Sequence, residues 1–324
     1  MAIDASNYIG ILEQFPKQCR EALDLPKGMM LGHEPISNIV VCGMGGSAIG
    51  GDILKAYLSS TGIPVIVHRD YGLPNFVDNT SLVFTISYSG NTEETLSAHD
   101  EAVKKGAQVI ALTSGGQLAE KSPRTITLPK GYQPRAAVGY LFFPMIGLLH
   151  NSDVVEVKND ELNEMLTALK DVKGFKGKGE ALAKKIRGKT PIVYASSLFA
   201  PAAYRWKTQF NENSKQAAFC HIVPEMNHNE LVGYENMSRD KFVAIFLRDK
   251  KDHPRIQKRM DICKKIIERK VDVIDVETQG NSLLARLFST IYLGDMASYY
   301  LALENRADPT PVEVIQLLKA ALMK

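Results

Sequence analysis

The stretch TISYSGNTEET, residues 85–95, follows an apolar run, SLVF (81–84), and leads into an acidic segment with helical spacing. A buried strand that ends in Ser87, Ser89, Asn91 and Thr92 around Gly90 presents hydroxyl, amide and backbone N–H donors at a helix start. The helix dipole favours negative charge there by about 0.3–1 kcal/mol, and Glu93 and Glu94 already follow that rule. A helix cap needs one short polar side chain. Four together point to a pocket for a compact anion such as a phosphate.

Working outward, the same strand-then-helix rhythm recurs. SNIVVCG (37–43), PVIVHRD (64–70), LVFTIS (82–87), AQVIALTS (107–114) and TITLP (125–129) read as strands, with helical patterns over SAIGGDILKAYLSS and TEETLSAHDEAVKKG. An apolar helix is expected from Ala136 to His150. Residues 151–188 are rich in Lys, Glu and Asp, with a soft KGFKGKG at 173–179, and read as a connecting region. The alternation then restarts, with strands at 190–196, 219–223, 241–248 and 271–277, a charged helix over 253–269 and two closing helices near 281–304 and 311–324. Such βαβ alternation predicts parallel sheets covered by helices. The expected domains are 1–152 and 153–324.

A second glycine-rich turn, CGMGGSAIGGD (42–52), follows the first strand. Gly43, Gly45 and Ala48 fit the G-x-G-x-x-A pattern of dinucleotide-binding folds, and Asp70 lies about where a ribose-binding acid would fall. The stretch at 85–95 decides between the two. A dinucleotide has no need of a serine–threonine cradle after strand three, whereas two strand ends of one parallel sheet bearing Gly46, Ser47, Ser87, Ser89 and Thr92 describe one phosphate pocket.

The totals exclude several classes. The 324 residues are 45% hydrophobic with a formal charge of +3 and no basic block, so nucleic acid is not an expected partner. No apolar run is long enough to span a bilayer, and the first residues lack the pattern of a secretory signal. Cys19, Cys42, Cys220 and Cys263 are scattered without metal-ligand spacing, as are the histidines and acids; neither metal nor cofactor is expected, and the setting is expected to be cytoplasmic.

GMGGSAIGGD with SYSGNTEET resembles a sugar isomerase (SIS) domain. QPRAAVGYLFFP (133–144), NENSK (211–215), EMNHNELVGYE (225–235) and DPTPVEVIQLLK (308–319) narrow the resemblance to the bifunctional phosphoglucose/phosphomannose isomerase family, from about Asn38 to Lys319. It implies an α/β chain of two SIS domains, each a parallel sheet flanked by helices. It also implies interconversion of glucose 6-phosphate, and of mannose 6-phosphate, with fructose 6-phosphate through a cis-enediolate.

Residue by residue, the resemblance makes Glu212 the base that moves the proton, Arg135 the charge that holds the enediolate, and His228 the ring-opening group, aided by Lys319. Gly46, Ser47, Ser87, Ser89 and Thr92 would hold the phosphate, with Thr310 near the sugar hydroxyls. A homodimer with shared active sites is implied, the ring-opening histidine coming from the neighbouring subunit. His221, in an apolar strand, reads as a core residue, and His33, His68, His99, His150 and His253 show no polar constellation. The rival classes are a non-catalytic SIS regulator that binds a sugar phosphate, which would have no use for Glu212, Arg135 and His228 together, and a dinucleotide oxidoreductase.

Overall fold

A computed structural model describes residues 3–32 and 34–322, so His33 and the last two residues of the closing helical pattern lie outside the described residues. In chain order the elements are α1 (Tyr8–Glu13), α2 (Phe15–Leu23), β1 (Asn38–Gly43), α3 (Gly45–Tyr57), β2 (Val65–His68), β3 (Ser81–Ile86), α4 (Glu93–Lys104), β4 (Gln108–Thr113), α5 (Gly116–Lys121), β5 (Thr125–Thr127), α6 (Val138–Asn151) and α7 (Asn159–Leu169). There follow α8 (Val172–Ile186), β6 (Thr190–Ser196), α9 (Ala200–Glu212), β7 (Phe219–Val223), β8 (Phe242–Arg248), α10 (Pro254–Ile267), β9 (Asp272–Glu277), α11 (Leu283–Glu304) and α12 (Glu313–Leu322).

The chain divides into two compact units. The first comprises Gln14–Lys170 with Asn281–Ala285; the second comprises the residues up to Glu13, Asp171–Gly280, and those from Arg286 on. This differs from the expected boundary at 152/153 at both ends. Helix α7 packs against α2 and so stays with the first unit. Residues before Gln14 join the second, where Lys176 Nζ donates to Glu13 at 2.6 Å and Tyr299 Oη donates to Asp4 at 3.2 Å.

The first unit holds a parallel sheet in the order β2-β1-β3-β4-β5. Its strands are apolar runs because both faces are covered: every residue of β3 is buried. On one face Val40, Cys42 and Val83 pack with Ala98 and Ala102 of α4. Helix α6 is buried from Val138 to Leu149, which explains the unbroken apolar run there; each large side chain so buried stabilises the fold by about 1.5–3 kcal/mol. The second unit repeats the arrangement with one strand fewer, in the order β7-β6-β8-β9, all parallel. Two parallel sheets flanked by helices, of the α/β class, are therefore present, the architecture that the resemblance implies.

The soft segment KGFKGKG lies inside α8 rather than in a connector. Asp171 caps that helix by accepting from Gly174 N at 3.0 Å. At Gly179 a side-chain carbon would come within 2.7 Å of Met296 Cβ, so this glycine allows α8 to lie close against α11 and is not a break.

Helices α9 and α11 of the second unit are joined by a buried polar ladder. Arg205 Nη2 donates to Asp295 at 2.8 Å, and Gln209 Nε2 donates to the other oxygen at 2.9 Å. Asn213 Nδ2 donates to Ser298 Oγ at 2.9 Å and Ser214 Oγ to the Ser298 carbonyl at 2.6 Å. Arg205 and Asp295 are each 2% exposed. Removing one member of a buried ion pair strands the other charge. Asp295→Ala should therefore lower unfolding stability by about 3–5 kcal/mol in urea titration; a loss below about 1 kcal/mol would show that the pair contributes little beyond its packing.

Candidate active site

In the first sheet the strand order reverses between β1 and β3, since β2 lies to one side of β1 and all later strands to the other. Open parallel sheets bind ligands outside the carboxyl ends of the strands at such a reversal. Both turns singled out from the sequence sit there. The β1 turn runs into α3 and the β3 turn into α4, and neither helix start carries a side-chain cap hydrogen bond. Thr92 occupies the N-cap position of α4 without capping it. Helix starts left this way present orphan N–H donors and the positive end of the dipole, an anion site made of backbone. The four hydroxyl and amide groups are thus not there to cap the helix.

Each hydroxyl has its own place. Ser87 is completely buried, and its Oγ accepts from Gly90 N at 3.0 Å and lies 2.9 Å from Thr92 Oγ1, so it ties the turn internally. Ser89 is exposed and Thr92 half-buried. Ser47 Oγ accepts from Tyr88 N at 3.3 Å and so joins the two turns. Gly90 has φ +75°, and a side-chain carbon there would lie 1.8 Å from the Gly115 carbonyl oxygen. Asn91 accepts from Gln117 N at 3.1 Å, which fixes the turn to α5.

Arg135 belongs to the same unit. It lies in a short 3-10 turn, Pro134–Ala136, just before α6, and is 3% exposed. That turn presses on the glycine loop: a side-chain carbon at Gly46 would lie 2.9 Å from Arg135 N and 3.0 Å from the Pro134 carbonyl. Asp70, the dinucleotide candidate, is exposed and turns its carboxylate onto its own backbone, accepting from Tyr71 N at 2.8 Å.

The remaining candidates lie in the second unit. Glu212 is the last residue of α9, half-buried, and Lys215 Nζ donates to its backbone carbonyl at 2.7 Å. It lines an open cavity of about 460 Å³ together with Asn211, Lys215, Asp308 and the first turn of α12. Thr310 is half-buried in the adjoining segment, where its N donates to Asp308 Oδ1 at 2.9 Å. Lys319 is exposed on α12, a helix with no buried residue, and is not among the residues that line the cavity. His228 is exposed on an irregular segment. That segment is held from below by Glu230, which accepts from Tyr194 Oη at 2.5 Å, while Tyr194 Oη lies 2.6 Å from Tyr234 Oη. Burial pushes the phenols of Tyr194 and Tyr234 far up, so both stay neutral.

The equivalent crevice of the second sheet, between β6 and β8, has no glycine turn. After β8, Asp249, 3% exposed, accepts from Lys251 N at 3.2 Å, from Thr278 Oγ1 beyond β9 at 3.1 Å and from Arg286 Nη1 of α11 at 2.9 Å. A carboxylate of the chain itself takes those donors.

The SIS domain family matches residues 35–143, and the bacterial phospho-glucose isomerase C-terminal SIS domain matches residues 175–322. A bifunctional phosphoglucose/phosphomannose isomerase of Caldicellulosiruptor bescii is 43% identical over 95% of this chain and 96% of its own. The chain belongs to the bifunctional phosphoglucose/phosphomannose isomerase family. A relative of the same description from Aquifex aeolicus is 43% identical over 90% of this chain and 92% of its own. In fold, the chain is similar to the C-terminal domain of glucosamine-fructose-6-phosphate aminotransferase from Francisella tularensis, with a TM-score of 0.68 at 16% identity, covering 93% and 96% of the two chains.

Two residues at this family's first-unit turn escaped the sequence reading. Tyr88 sits inside the quoted stretch but reads as one more apolar residue. Gln18 lies far upstream, on an amphipathic helix, with no motif around it. The prediction for the turn itself concerns Gly90. Gly90→Ala combines a left-handed backbone with a clash against Gly115, and the turn must open. Inorganic phosphate titrated against the variant should bind at least tenfold more weakly than against the parent; equal binding would place the anion elsewhere.

Proposed function

We propose that this chain carries one proton between C2 and C1 of a hexose 6-phosphate through a cis-enediolate, with Glu212 as the proton carrier and Arg135 holding the developing charge. The chain is an aldose–ketose isomerase, interconverting glucose 6-phosphate and mannose 6-phosphate with fructose 6-phosphate. Two helix starts without side-chain caps at adjacent strand ends, rimmed by hydroxyls, suit the dianionic 6-phosphate, and this observation carries the assignment of the phosphate site.

In this reading Gly46, Ser47, Ser89 and Thr92 meet the phosphate, and Ser87 holds the turn in shape around it. Glu212 takes the proton from C2 and returns it to C1, while the O2 proton moves to O1. Its place among the residues that line a cavity supports a working carboxylate. Arg135 supplies fixed charge and donors to the enediolate oxygens. His228 opens the sugar ring, with Lys319 assisting, and Thr310 faces the sugar hydroxyls. The two aldoses are epimers at C2, so one enediolate serves both if it rotates about C2–C3 before the proton returns. A cytoplasmic homodimer with shared sites completes the proposal. The exposure of His228 supports a histidine offered to a neighbouring subunit, and the four free cysteines support a reducing setting.

A binding-only regulator would hold the same phosphate and do nothing with Glu212. Glu212→Gln should lower kcat about 100-fold or more, the scale of a lost general base, while 5-phosphoarabinonate still binds in calorimetry. Wild-type turnover in that variant would remove Glu212 from the mechanism. Ser89→Ala and Thr92→Ala should instead act chiefly on KM, because the phosphate is held in ground and transition states alike. Turnover of glucose 6-phosphate with no detectable turnover of mannose 6-phosphate would refute the single-enediolate account.

A further inference from the structure

We infer that Gln18 and Tyr88 are positioning residues that clamp the segment carrying Arg135 from either side; the inference rests on the role given above to Arg135. Gln18 projects from α2 and is 2% exposed. Its Nε2 donates to the Ala136 carbonyl at 3.0 Å, and its Oε1 accepts from Gly139 N at 2.7 Å. Helix α6 has no cap of its own at Ala137, so this amide serves as its cap from a distant part of the chain. Gly139 is shaped to admit it: a side-chain carbon there would lie 2.8 Å from Gln18 Oε1 and 3.0 Å from Gln18 Cγ.

Tyr88 holds the other side. It is 6% exposed, its Oη donates to the Pro129 carbonyl at 2.6 Å and accepts from Tyr132 N at 2.9 Å, and its backbone N donates to Ser47 Oγ. The Arg135 turn is thus fixed before it by Tyr88, after it by Gln18, and across from it by Gly46. The polar atoms of the Gln18 and Tyr88 side chains are spent on backbone partners and leave nothing for substrate. They act through Arg135, and because Tyr88 grows out of the phosphate turn, one rigid piece sets the distance from that turn to the Arg135 backbone. A displacement of about 1 Å at a group that stabilises a transition state can cost roughly 100-fold in rate.

Gln18→Met keeps the length of the side chain and deletes both hydrogen bonds; Tyr88→Phe deletes only the hydroxyl. Each should lower kcat for fructose 6-phosphate about tenfold or more, within the range that such misplacement sets, with KM changed less than about twofold, since the phosphate contacts stay in place. The deciding measurement is a double-mutant cycle with Arg135→Ala. If the clamp acts through Arg135, Gln18→Met or Tyr88→Phe should cost almost nothing further in that background, whatever either does to the melting temperature. Fully multiplicative losses would overturn the inference, as would wild-type kcat in both variants while Arg135→Ala is crippled. Wild-type turnover in Arg135→Ala itself would instead withdraw the role given to Arg135, and the clamp with it.

Discussion

The hydrogen bond from Tyr88 N to Ser47 Oγ joins the ends of two neighbouring strands, and most of the first unit is arranged to make it possible. It requires β1 and β3 to lie side by side at the reversal of the sheet, and Gly43 to admit the Ile86 carbonyl, which would lie 2.9 Å from a side-chain carbon there. It leaves α3 and α4 starting from adjacent points with no side-chain caps. A well-capped helix would be more stable by about 1 kcal/mol for each cap. Donors left open in this way are the kind an anion can take up, at the positive end of the helix dipole.

The two sheets show how the same strand order serves different ends. In the first unit the reversal is lined by glycine and hydroxyls; in the second, the strand ends carry no glycine turn, and a buried aspartate after β8 pairs with an arginine of α11. Asp249 and Arg286 form a neutralised structural joint, where the first unit has the turns Gly43–Ser47 and Ser87–Thr92 after its strands. A buried pair of this kind contributes little net stability, because desolvation offsets most of the attraction.

The strands, the helix types and both glycine turns were legible in the sequence because parallel strands covered on two faces must be apolar from end to end, as SLVF and IVVC are. The turn after β3 was legible as a turn because short polar residues around a glycine interrupt the apolar run at a strand end. KGFKGKG misled, since three glycines look like a break until Met296 is seen to need the space at Gly179. The compact units divide elsewhere than at 152/153 because α7 packs on α2, a contact that shows only in three dimensions. Gln18 was illegible because its partners are more than a hundred positions away and are backbone atoms, which carry no sequence signature. Asn213 and Ser214 of NENSK read as motif letters, whereas their burial shows them anchoring the end of α9 to Ser298.

The discontinuity of the second unit bears on synthesis. Residues 14–170 leave the ribosome as a nearly complete sheet with its covering helices, and domains tend to fold as units in that order. Asp4 and Glu13 are made earlier still, yet their partners Tyr299 and Lys176 come much later, Tyr299 only after both sheets have been translated. Glu13 therefore waits for Lys176 until α8 is made, Asp4 waits for Tyr299 until α11 is made, and the second unit closes only when α11 arrives. A nascent chain stalled before that helix holds one sheet with its covering helices and a second whose strands are all made but whose α11 cover is missing.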